Sequence, residues 1–145
     1  MDDITEKNIN RFTLKIPAKV DQLNEVLSFV DMHLEECGCP LKTQMQIDVA
    51  IEELFVNIAS YAYQSENGEA EITMTIEEDP TVAEFEFRDW GIPFDPVKKQ
   101  DPDVTLTAEE RQIGGLGIYM VKKSMDDIQY KRENGQNILT IRKRL

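Results

Sequence analysis

The sequence predicts a single α+β domain, a two-layer α/β sandwich with three helices packed on one face of a mostly antiparallel, about five-stranded sheet. Three observations favour this class. Segments with an apolar residue at every second position occur in pairs with short connections, as in antiparallel hairpins. Other segments repeat apolar residues at every third or fourth position, as in amphipathic helices. The 145 residues suffice for one core and are too few for two ordinary domains.

The chain begins with a polar stretch followed by a predicted strand. Residues 1–10 are expected to form a flexible tail, which leaves one domain over residues 11–145. Apolar and polar residues then alternate up to Pro17, which predicts a short strand with one buried face. The apolar positions of that face are Phe12, Leu14 and Ile16.

Two amphipathic helices are predicted next. The first extends from about residue 19 to about residue 36, because Gly38 and Pro40 end its apolar stripe. The second ends before the polar turn at residues 65–68. Its apolar stripe consists of Ile47, Ile51, Leu54, Ile58 and Tyr61.

Two hairpins, a long loop and a third helix are predicted in the second half of the chain. Alternating segments at residues 70–76 and 83–87 are close enough to form an antiparallel hairpin. Periodicity disappears between residues 90 and 115, where three prolines indicate a long loop of the kind that is often functional. The third helix and the second hairpin follow, at about residues 118–125 and 128–141.

The composition is acidic and argues against several classes of partner. There are 28 acidic residues against 16 Lys and Arg, and the net charge is -12. No basic face is available for nucleic acid, and no apolar run is long enough for a membrane, so a cytoplasmic protein is expected. The same acidity indicates that any bound phosphates are held by backbone N–H groups and a divalent cation.

The single histidine and the two cysteines do not indicate a catalytic or metal site. His33 lies in the first predicted helix, and we expect a solvated residue, because no second long helix is available for the dimerisation hairpin of a sensor histidine kinase. Cys37 and Cys39 lack the two further ligands of a tetrahedral zinc site. Two reduced thiols are therefore expected.

The second predicted helix carries a carboxylate and an amide one turn apart. Glu53 and Asn57 lie at the margin of its apolar stripe, so both side chains can face a cleft while the helix stays packed. Such a carboxylate can take a proton from a hydroxyl, and an amide oxygen can bind Mg²⁺. The same spacing also occurs by chance in many helices.

Two glycine-containing segments add candidate binding residues. Asp89 ends a predicted strand two residues before Gly91, where it is either an acceptor for the exocyclic amine of adenine or an ordinary turn residue. Gly114, Gly115 and Gly117 precede and enter the third helix, whose free N–H groups suit phosphate oxygens. Close packing or a tight helix entry explains these glycines equally well.

The order of these features resembles the N, G1 and G2 boxes of the GHKL (Bergerat-fold) ATPase superfamily. The matching segments are residues 53–61 (ELFVNIASY), 89–96 (DWGIPFDP) and 114–121 (GGLGIYMV), and the resemblance covers roughly residues 10–145. The small size of the chain and the Pro-Phe-Asp-Pro sequence that ends its G1 segment make it most similar to the anti-sigma serine/threonine kinase branch. A structural domain with coincidental motifs would need three matches in the right order.

The resemblance implies ATP and Mg²⁺ as ligands and assigns a role to each candidate. Glu53 would be the general base and Asn57 the Mg²⁺ ligand, while Asp89 would contact adenine and Gly91 would be its backbone neighbour in the binding site. The phosphates would be covered by a segment containing Gly114, Gly115, Leu116 and Gly117.

The resemblance also implies partners and leaves two functions open. Members of the branch phosphorylate a STAS-domain anti-sigma antagonist, bind a sigma factor when not so engaged, and form homodimers. The alternative is a non-catalytic, nucleotide-dependent interaction module, since binding and catalysis use the same site. Three positions depart from the family pattern: Tyr61 stands where many relatives have His, Pro93 replaces a glycine, and Asn137 lies near a position where relatives often have Thr. The third departure bears on one phosphate contact.

Overall fold

The computed structural model describes residues 8–63, 66–98 and 116–145. Within these ranges an antiparallel five-stranded sheet, in the order β1-β2-β3-β5-β4, packs against three α-helices. The strands are β1 (Ile9–Pro17), β2 (Glu69–Glu77), β3 (Val82–Asp89), β4 (Asp127–Glu133) and β5 (Gln136–Arg144). The helices are α1 (Leu23–Glu36), α2 (Leu41–Asn57) and α3 (Leu116–Ser124). The predicted α+β sandwich is confirmed.

The core lies between the helices and one face of the sheet. Alternate residues of β2 and β3 are buried, as the period of two in the sequence predicts, and Met74 lies opposite Phe85. From the helices, Val30 of α1 and Ile51 of α2 are fully buried against this face. Each such side chain contributes about 1.5–3 kcal/mol when it is removed from water.

The strand order brings the ends of β3 and β5 together. The chain passes from β3 through α3 to β4 at the sheet edge, and β5 then returns between β3 and β4. Asp89, the last residue of β3, therefore lies opposite Asn137 near the start of β5. Because Asp89 continues the alternation of Phe85 and Phe87, its side chain belongs to the inner face of the sheet.

Two expectations about the first part of the chain need correction. The strand begins at Ile9, so the last two residues of the expected tail, 9 and 10, belong to β1. The prediction that His33 is solvated is wrong, because its ring stacks on Phe12 of β1 with centroids 3.6 Å apart and contacts Phe29 edge-on. No helix in the described ranges is both long and apolar enough to cross a membrane.

Candidate functional site

A cavity lies between the end of α2 and the adjoining ends of β3 and β5. Its volume is only about 30 Å³, below the roughly 300–1,000 Å³ that is usual for small-ligand sites. Two residues predicted from the sequence, Asn57 and Asp89, line it together. The apolar part of the lining includes Leu54, Ile58, Phe87, Phe94 and Leu139.

Asp89 places a buried carboxyl group in this cavity. Only 4% of the residue is exposed, and its Oδ1 accepts hydrogen bonds from the Gly91 N–H and from Asn137 Nδ2, both at 2.9 Å. Within the described ranges no hydrogen bond reaches Oδ2. Burial raises the pKa of Asp89, while the bonds from Asn137 and Gly91 and the charge of Arg132 oppose that rise. The bond from the Gly91 N–H is the one expected of a turn residue, but it uses only Oδ1 and leaves the second carboxyl oxygen, Oδ2.

Gly91 is required by a close approach of two backbone segments. A Cβ atom at this position would lie 2.1 Å from the carbonyl oxygen of Ala62. The next residue, Ile92, donates its N–H to the same oxygen at 2.8 Å. The loop after β3 is thereby attached directly to the end of the second helix.

That end of α2 has a feature the sequence did not reveal. Residues Ile58–Ala62 form a π-helical turn, a rare conformation that is frequent at functional sites. Just beyond it, the Tyr63 hydroxyl accepts the Trp90 N–H at 2.8 Å and donates to the Glu69 carbonyl at 2.6 Å. This hydroxyl therefore connects the start of β2 to the loop after β3.

Asn137 lies at the Asp89 end of the cavity. It is 4% exposed, and its Nδ2 donates to Asp89 Oδ1 and to the Ile92 carbonyl, at 2.9 and 2.7 Å. Its Oδ1 accepts the Phe94 N–H at 3.3 Å and the Tyr130 hydroxyl. Asn137 thus connects Asp89 to the loop that follows β3 and to β4.

The remaining candidates lie on α2 and at the start of α3. Asn57 Nδ2 donates to Glu53 Oε2 at 3.1 Å, and both side chains are half-buried, in agreement with their predicted place at the margin of the stripe. Gly117 faces this pair, because a Cβ there would lie 2.0 Å from Glu53 Oε1. Leu116 is the first residue of α3, whereas Gly114 and Gly115 lie outside the described residues. Gly117 therefore packs closely against Glu53.

Comparison with known proteins identifies the class of domain. Residues 16–143 match the histidine kinase-like ATPase domain family, and the chain belongs to this family.

Individual relatives indicate a particular branch of this family. The chain is 28% identical to the serine-protein kinase RsbW of a Bacillus cereus strain over 137 residues, which are 92% of this chain and 84% of the relative. It is 26% identical, with the same coverage, to RsbW of a Bacillus mycoides strain. The resemblance to the anti-sigma kinase branch of the GHKL superfamily is thereby confirmed.

A solved structure shows the same fold. It contains the RsbU and RsbW domains of Rv1364c from Mycobacterium tuberculosis, with a TM-score of 0.67 and 15% identity. The match covers 94% of this chain and 32% of that longer chain, so this protein corresponds to about a third of it.

Proposed function

We propose that the protein binds ATP with Mg²⁺ and acts as a serine/threonine-protein kinase in an anti-sigma regulatory system. The observation that carries the proposal is the cavity in which the buried carboxyl group of Asp89 lies with Asn57, one turn from the carboxylate of Glu53. The family and the named kinase relatives support ATP as the nucleotide.

Asp89 is suited to recognise the base. Its Oδ1 already accepts two hydrogen bonds, so Oδ2 is the oxygen that can accept the exocyclic amine of adenine. Apolar side chains such as Leu54 and Phe87 line the cavity and would cover the faces of a flat ring once the cavity widens to admit it. A base that carries a carbonyl in place of the amine would place two acceptors against each other.

Asn57 and Glu53 are suited to the phosphate end. In the described ranges no group of three or more His, Cys, Asp or Glu residues could hold a metal ion. A single amide oxygen fits Mg²⁺ nevertheless, because this ion keeps several waters and binds mainly through substrate phosphates. Asn57 would hold the ion, which neutralises phosphate charge.

Glu53 would act as the general base toward a Ser or Thr hydroxyl of a partner protein. Its carboxylate takes the hydroxyl proton while the hydroxyl oxygen bonds to the γ-phosphorus and the bond from that phosphorus to the bridging oxygen of ADP breaks. Catalysis of this kind depends mainly on positioning and charge stabilisation.

The proposed phosphate acceptor is a STAS-type anti-sigma antagonist, and the proposed second partner is a sigma factor. The net charge of -12 suits a basic protein segment and opposes direct contact with nucleic acid. We further propose a homodimer in the cytoplasm, with Gly114 to Gly117 covering the phosphates, as in the family.

The first test is calorimetric titration of the protein with ATP and Mg²⁺, alongside Asp89→Asn. The variant keeps Oδ1 as an acceptor but replaces Oδ2 with a donor, so we expect ATP affinity to fall about a hundredfold. Glu86→Gln removes a carboxylate from the outer face of the same strand and should leave affinity unchanged. Absence of ATP binding by the unaltered protein would contradict the proposal.

A further inference from the structure

Asn137 belongs to none of the three motifs, yet it holds the loop after β3 at several points. Its two donated bonds end on Asp89 and Ile92, and its two accepted bonds come from Phe94 and Tyr130. One side chain of β5 thus connects β3, the following loop and β4.

The hydrogen-bonding capacity of Asn137 is filled by these four contacts. A carboxamide has two N–H donors and two oxygen lone pairs, and each of them is used within the protein. Although Asn137 lines the cavity, it has no donor or acceptor left for a ligand. Any effect it has on a ligand must therefore act through the groups that it holds.

Among those groups, the carboxyl group of Asp89 has a whole oxygen, Oδ2, that no hydrogen bond in the described ranges reaches. Asn137 and Gly91 both donate to Oδ1, which fixes the carboxyl group by two bonds to one oxygen. Partial rotation of the carboxyl group would break both bonds, and a half-turn would only exchange two equivalent oxygens. The pair of donors thereby selects Oδ2 as the oxygen presented to the cavity.

The hairpin formed by β4 and β5 strengthens this arrangement. Arg132, whose Cα is paired with that of Asn137, donates from Nη1 to the Gly91 carbonyl at 2.8 Å. Tyr130, on the same strand as Arg132, donates its hydroxyl to Asn137 and so fixes the orientation of the amide. Asp89 and the loop that follows it are held by a hairpin more than 40 residues further along the chain.

We propose that Asn137 is a positioning residue that orients Asp89 for recognition of the exocyclic amine of adenine and makes no contact with the nucleotide itself. This inference rests on the proposed ATP site and adds to it the residue that sets selectivity for the base.

The test compares ATP with inosine triphosphate, which differs from ATP by a carbonyl in place of the amine. Both nucleotides are titrated with Mg²⁺ into the unaltered protein and into Asn137→Ala. We expect the preference for ATP over inosine triphosphate to fall about tenfold, since loss of one orienting hydrogen bond frees Oδ2 to turn away. A purely structural role of Asn137 would weaken both nucleotides alike and leave their ratio unchanged.

Two further variants make the test independent of the stability of Asn137→Ala. Tyr130→Phe keeps the ring but removes the bond that orients the amide, and we expect the same ratio to fall about threefold. Thr140→Ala changes β5 on its outer face and should leave the ratio unchanged. Thermal unfolding of each variant verifies that titrations are made on folded protein.

The outcomes separate this inference from the proposed function. ATP binding that is selective in the unaltered protein and unselective in Asn137→Ala supports the inference. Equal weakening of both nucleotides, or an unchanged ratio in the Asn137 and Tyr130 variants, overturns it and leaves the ATP site intact. If the unaltered protein binds neither nucleotide, the proposed function fails and the inference fails with it.

Discussion

The two ends of the proposed nucleotide site, the base end at Asp89 and the phosphate end at Glu53 and Asn57, are built in different ways. At the base end, Asp89 and Asn137 are each only 4% exposed, and hydrogen bonds from β4, β5 and the loop hold them in place. At the phosphate end, Glu53 and Asn57 are half-buried and share one hydrogen bond of 3.1 Å between successive turns of α2. Within the described ranges this pair makes no other side-chain hydrogen bond.

For the proposed site, this difference predicts that recognition of the base and phosphoryl transfer can be changed separately. The base end depends on contacts between distant strands, which fix the selective oxygen before a ligand arrives. The phosphate end depends on the local geometry of one helix, and the remaining contacts would come from ligand, ion and partner. Substitutions at the base end should therefore leave the transfer chemistry largely intact, and substitutions at the phosphate end should leave recognition of the base largely intact.

The largest expected effect is that of Glu53→Gln on phosphoryl transfer. Loss of a general base should slow transfer to a partner hydroxyl about a thousandfold, while ATP affinity changes less than about threefold. Transfer of labelled phosphate and calorimetry measure the two properties separately. Glu52→Gln, at the neighbouring exposed carboxylate, is the control. Transfer that survives in Glu53→Gln would show that another group acts as the base.

A smaller effect, confined to the base end, is expected for Gly91→Ala. The added Cβ would lie 2.1 Å from the Ala62 carbonyl oxygen, so the loop must move, with a loss of about 1–3 kcal/mol of stability and about tenfold weaker ATP binding. Gly38→Ala is the comparison, because its φ of +78° strains the backbone in open space far from the site. Denaturant unfolding measures the stability of each variant, and calorimetry measures its ATP affinity. Unchanged ATP affinity in folded Gly91→Ala would contradict the close approach of the two backbone segments.

The smallest effect concerns the pH dependence of stability at the base end. Burial raises the pKa of Asp89 above its ordinary value, so ionising it in the folded protein is unfavourable. The contribution of Asp89 is therefore most favourable at low pH and is lost as the pH rises through the folded pKa. Asp89→Asn should gain stability relative to the unaltered protein between about pH 4 and about pH 7, although it loses ATP affinity. Urea unfolding at both pH values tests this, and a difference that does not grow with pH would contradict it.

Local patterns in the sequence predicted most of the fold. Alternation around Met74 and Phe85 predicted the central strands, because a sheet with one covered face buries every second residue. The helical wheel placed Glu53 and Asn57 at the margin of α2, where the structure has them. Each of these features depends on residues that are close together in the chain.

Features that depend on distant residues were not predictable in the same way. The hydrogen bond between Asp89 and Asn137 joins positions 48 residues apart, and it exists because β5 lies beside β3 rather than at the edge of the sheet. His33 is packed because β1 brings Phe12 onto α1. No single residue of the sequence predicts the π-helical turn. Its last residue, Ala62, accepts a hydrogen bond from Ile92 in the loop after β3, which is a contact between distant parts of the chain.

The position of β5 in the sheet has a consequence for synthesis of the protein. β3 pairs with β2 early, but its other edge stays open until residues 136–144 have left the ribosome. At about 5–20 residues per second, the intervening segment takes roughly two to ten seconds to translate. During that interval the nascent chain exposes an unpaired strand edge that contains Phe85 and Phe87, a feature that favours aggregation and chaperone capture. The cavity proposed to accept the base is therefore completed only when β5 is inserted between β3 and β4.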